Sequence, residues 1–89
     1  MTVSVFAQLT VKDYEAWKSN FDGAAQFMKE LGAVSSSVHR NLENPNSVMV
    51  FQEVSESSLD QYLSVLDGAA DRRAEEGILS WELWVGKPT

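Results

Sequence analysis

Two stretches of the chain, SVMVFQEV at 47–54 and ILSWELWV at 78–85, set large apolar side chains side by side. In the first, Val48 and Val50 stand against Met49 and Phe51; in the second, Leu79, Trp81 and Leu83 stand against Ile78 and Trp84. Neighbouring side chains of an extended chain point to opposite faces, so a sheet made of these strands is apolar on both sides. Such a sheet needs cover on both faces, and this requirement narrows the possible folds more than any other feature.

At the start of the chain Val3, Val5, Ala7, Leu9 and Val11 alternate with Thr2, Ser4, Gln8 and Thr10, the period of a strand, with Phe6 intruding on the polar side. Asp13 then offers an N-cap carboxylate and Glu15 a negative charge in the first turn. Tyr14, Trp17, Phe21, Ala24, Met28 and Leu31 recur at helical spacing, which predicts one long amphipathic helix ending at Leu31. Gly32 suits the left-handed residue that closes a helix. A strand over 33–42 follows, with Val34, Val38 and Leu42 on one side and Ser35, Ser37, His39 and Asn41 on the other. Glu43-Asn44-Pro45-Asn46 carries turn chemistry and 48–54 return as a strand, so the two form a hairpin. Ser57 with Asp60 reads as a capping-box variant opening a second helix, whose apolar face is Leu59, Tyr62, Leu63 and Leu66. Gly68 interrupts it. A shorter helical piece over 69–76, bearing the mixed charges of Asp71 to Glu76 on a solvated face, is expected before Gly77 and a last strand over 78–85.

The order strand, helix, strand, strand, helix, strand predicts an α+β fold, a ferredoxin-like βαββαβ with a four-stranded antiparallel sheet, its first and third strands central. At 89 residues the chain makes one domain, 1–89, with no repeat or linker. Two helices cover one face of the sheet only. The economical cover for the other is the same face of a second copy, which makes a homodimeric α/β barrel the expected assembly.

A formal net charge of −6, with seven scattered Lys and Arg residues, leaves no basic stripe for a phosphate backbone and no attraction to an anionic membrane surface. Nucleic acid and membrane are therefore not expected partners. The first residues run straight into the alternating pattern without an export signal, and no cysteine is present, which together lead to the expectation of a cytoplasmic protein. A single histidine and no thiolate exclude a histidine-rich or thiolate metal site within one chain, so no metal is expected.

His39, Arg40 and Asn41 are the first candidates for chemistry, yet on a strand they cannot converge: His39 and Asn41 share one side and Arg40 takes the other. His39 alone is a candidate catalytic base, an imidazole being suited to proton transfer near neutral pH and Ser37 and Asn41 being placed to orient it; a hydrogen-bonded hairpin or interface histidine is the structural alternative. Arg40 to Asn46 has a complete reason to exist as hairpin chemistry. Trp17, Phe21, Phe51, Tyr62 and Trp81 are candidate ligand-binding residues of an aromatic pocket, with Tyr14 and Met28 beside them, and the same residues at the same spacing also read as plain core. Gln8 offers a further polar handle. Glu53 faces solvent, a partner or a cavity.

Val11 to Trp17 (VKDYEAW), Arg40 to Asn46 (RNLENPN) and the Gly77-Ile78 opening of the last strand resemble the small dimeric α/β-barrel proteins related to the antibiotic-biosynthesis monooxygenases, including short members described as cyclases. The resemblance spans nearly the whole chain. It implies a dimer with its two sheets face to face, helices outside and a small-molecule pocket between helices and sheet. It also implies a cofactor-independent monooxygenase or cyclase acting on an aromatic or polyketide-like molecule, with no organic cofactor. Haem-degrading relatives are a poorer match, because the second helix has no histidine to ligate iron. The alternative to catalysis is a non-catalytic homodimer that binds a small hydrophobic ligand or serves as a structural module, since no set of titratable side chains converges.

Overall fold

The computed structural model describes residues 1–68 and 77–89. Strand β1 (Thr2–Val11) is followed by helices α1 (Tyr14–Gly23) and α2 (Ala25–Glu30), then β2 (Ala33–Arg40) and β3 (Ser47–Ser55). A single 3-10 turn (Glu56–Ser58) leads into α3 (Leu59–Gly68), and β4 (Ile78–Gly86) ends the sheet. The four antiparallel strands lie in the order β2-β3-β1-β4, with the first and third strands central, as a ferredoxin-like α+β fold requires. The short helix and charged face expected over 69–76 lie outside the described residues.

Local chemistry accounts for most of the boundaries. Asp13 Oδ1 accepts from the Ala16 amide at 3.3 Å and so caps α1, with Glu15 in the first turn and a Lys18–Asp22 pair at 2.6 Å one turn apart. The single long helix expected to Leu31 is instead broken in two at Ala24. There the amide reaches both the Asn20 and Phe21 carbonyls at 3.1 Å, a tightening that follows from Gly23, a weak helix former. Gly32 takes φ +108°, and a Cβ there would come within 2.5 Å of Ser58 Cβ, so only glycine fits between α2 and the turn before α3. At the start of the 3-10 turn Ser55 makes no side-chain cap, and its Oγ lies 3.2 Å from Ser57 Oγ.

The alternation in β1 and β3 divides the sheet cleanly. Val3, Val5, Leu9 and Val11 of β1, with Val48, Val50 and Val54 of β3, are buried beneath the helices. Burial of side chains this size contributes about 1.5–3 kcal/mol each. They form two clusters, one around Val3, Val5, Leu31, Val54 and Tyr62 and the other around Leu9, Val11, Trp17, Val48 and Val50. On the opposite face Phe6 packs between Phe51 and Trp84, ring centroids 4.9 and 5.4 Å away. The Trp84 ring lies over Gly86, where a Cβ would come within 2.6 Å of it, and its side chain is 62% exposed.

The edge strands depart from simple alternation. Between Ala33 and Ser35 the β2 register slips against β3, and the extra residue, Val34, is exposed rather than packed with Val38. Leu42 lies beyond the strand and is fully exposed. A second slip opposite Thr10 and Val11 makes Leu79 the extra residue of β4, which leaves it exposed and puts Ile78 against the helix-side core with Trp81.

Candidate functional site

Between the two clusters lies a cavity of about 210 Å³, walled by β1, β3 and β4 on one side and by the three helices on the other. Two small side chains line it, Ala7 in the middle of β1 and Ala24 at the helix break. Trp17 and Phe21, stacked at 5.2 Å, come from α1; Met28 and Phe27 from α2; Tyr62, Val65 and Leu66 from α3; Trp81 and Leu83 from β4. Asn20 and Phe27 are exposed and mark the mouth.

The interior is apolar except at one end. There Gln52 of β3, 3% exposed, and Tyr62, 2% exposed, meet: the Tyr62 hydroxyl donates to Gln52 Oε1, and Gln52 Nε2 donates to Ser36 Oγ at 3.3 Å. Burial pushes the Tyr62 phenol up to a pKa of about 12, so it stays protonated at neutral pH and cannot act as a base. No His, Asp, Glu, Lys or Arg is among the described residues that line the cavity.

Of the residues singled out in the sequence, Trp17, Phe21, Tyr62 and Trp81 come together around this cavity, with Met28. Phe51 does not. It occupies the odd-numbered side of β3 with Met49 and Glu53, so it packs on Phe6 across the sheet from the helices. Tyr14 is also outside the cavity; its ring carries the Arg40 guanidinium at 3.8 Å.

His39 lies on the same open face as Phe51, exposed, with Nε2 3.1 Å from Ser37 Oγ and Met49 opposite in register. It borders a shallow recess of about 150 Å³ with Gln8 and Asn41, on the other side of the sheet from the cavity, so neither His39 nor Gln8 can serve a ligand held there. Arg40 points to the helix side, as strand parity demands, and its Nε donates to the Pro45 carbonyl at 3.1 Å. Asn41 Oδ1 accepts from the Glu43 and Asn44 amides at 2.8 and 2.9 Å, and Asn44 Oδ1 from the Asn46 amide at 3.2 Å. The His39-Arg40-Asn41 run is thus divided between two faces and a turn. Glu53, also on the open face, accepts from the Thr2 hydroxyl at 3.2 Å.

Gln52 is the site residue that the sequence reading missed. Its signal was present: a glutamine stands at the buried parity of β3 between Val50 and Val54, where the period calls for an apolar side chain. Asn20 at the mouth carried no comparable mark.

No protein-family profile matches the chain, and no curated protein matches it. Solved structures do share its fold. SnoaB, a cofactor-independent oxygenase from Streptomyces nogalater, superposes with a TM-score of 0.79 at 19% identity, over 99% of this chain and 93% of that one. A provisionally assigned antibiotic biosynthesis monooxygenase from Chloroflexus aurantiacus gives 0.74 at 19% identity, over 100% and 94%. A dimeric ferredoxin-like protein from an uncultured marine organism gives 0.66 at 5% identity, over 99% and 88%. At these identities the likeness is one of fold.

Proposed function

We propose that the protein binds a flat, largely apolar small molecule in the cavity between the helices and the sheet, and acts on it as a cofactor-independent monooxygenase of the antibiotic-biosynthesis type, working as a cytoplasmic homodimer. The observation that carries this is the cavity itself: about 210 Å³, aromatic on two sides, with one buried polar pair. A cavity of about 150 Å³ holds a benzene molecule, so this one takes one or two fused rings. Sharing a fold with SnoaB, itself a cofactor-independent oxygenase, supports the chemistry, and the dimeric ferredoxin-like neighbour supports pairing.

One observation favours a second reading. The cavity has no side-chain base among its described residues, so a substrate must bring its own acidic hydroxyl, or the protein is a non-catalytic dimer that only holds its ligand. Titration with 1,3-dihydroxynaphthalene, read by quenching of tryptophan emission and by oxygen uptake, separates the two. Saturable quenching with oxygen uptake proportional to protein is the expected result. Quenching without uptake supports the ligand-binding reading, and no quenching removes the cavity as a site.

A further inference from the structure

The polar end of the cavity has a direction. Tyr62 has one hydroxyl proton and gives it to Gln52 Oε1, which fixes which way round the amide lies. The nitrogen therefore faces away from Tyr62, and one of its two protons goes to Ser36 Oγ at 3.3 Å. Among the described residues the Gln52 side chain makes no other hydrogen bond. Gln52 lines the inner end of the cavity, so its second N–H is available to an acceptor there.

We propose that Gln52 is the specificity-determining residue of the cavity, its amide nitrogen donating to an acceptor oxygen on the ligand, so that the ligand class is a neutral or weakly acidic aromatic ketone or hydroxyaromatic that presents this oxygen to the inner end. Tyr62 positions the amide and does not touch the reacting atoms. A buried donor left without an acceptor is costly, so the site discriminates against a ligand of the same shape that lacks the oxygen. Because the Tyr62 phenol keeps its proton up to about pH 12, this direction holds across the physiological range. The apolar lining and the lack of a cationic side chain among the described residues disfavour carboxylates and phosphates.

The inference rests on the cavity being a ligand site, and a pair of isosteric probes tests the two separately. 2-Acetylnaphthalene and 2-isopropenylnaphthalene differ by an oxygen in place of a methylene group. Their dissociation constants are measured by tryptophan quenching on the wild type, on Gln52→Met and on Tyr62→Phe. The preference for the ketone, as the ratio of the two constants, is expected to fall about 10-fold in Gln52→Met and several-fold in Tyr62→Phe, while the hydrocarbon binds as before. A ratio unchanged within about twofold in either folded variant overturns the role of Gln52 and leaves the cavity standing as a ligand site. Failure of both probes to bind the wild type overturns both proposals. Should Gln52→Met fail to fold, the ratio in Tyr62→Phe decides the matter alone.

Discussion

Above pH 10 the Tyr62 hydroxyl works against the fold. Its folded pKa of about 12 lies above the ordinary value of 10.0, so the folded state holds the proton while the unfolded chain releases it. The contribution is complete below pH 10 and is lost as pH rises toward 12, which amounts to about 2–3 kcal/mol. Urea titrations at pH 9 to 12 should show this loss in the wild type and its absence in Tyr62→Phe. Tyr62 was legible in the sequence because it sits on the apolar face of a helix. Gln52 showed there only as a polar residue at a buried parity, because its meaning depends on a hydroxyl ten residues away that only the fold brings to it. His39 stands apart from the cavity, since its parity places it across the sheet.

Among the elements, the tight junction of α2, β2 and the 3-10 turn admits least change. Gly32→Ala must hold φ +108° and push Ser58 aside, and is expected to cost about 2–4 kcal/mol in denaturation. Asn41→Ala strips two amides of their acceptor in an exposed hairpin and should cost only about 1 kcal/mol. The hairpin was readable from Asn41 to Asn46 because turn chemistry is local. The bulges at Val34 and Leu79 were not, since register is decided between strands, and the break at Ala24, local to Gly23, was hidden by an apolar period that runs on without interruption. The helix break matters to the site, as it carries Ala24 in the cavity lining.

For the whole molecule, the two-faced apolar pattern of β3 and β4 pointed to a partner beyond the helices, and the open face bears Phe6, Met49, Phe51 and Trp84 in register. If the proposed homodimer pairs through this face, Phe51→Asp, which puts a charge beside Phe6 and leaves the cavity untouched, should lower the mass measured by sedimentation from dimer to monomer while preserving the secondary structure. Cavity volume, by contrast, had no trace in the sequence, because aromatic side chains at helical spacing fill space or frame it according to how three helices and a sheet meet. The central strand serves both surfaces at once: odd positions of β1 wall the cavity, and even positions such as Phe6 and Gln8 lie on the far side. Inserting or deleting one residue between Thr2 and Val11 would exchange those roles along the strand, turning valines outward and polar side chains into the core. Chain length there is consequently far less negotiable than composition, whereas the exposed hairpin at 41–46 can take a change of length.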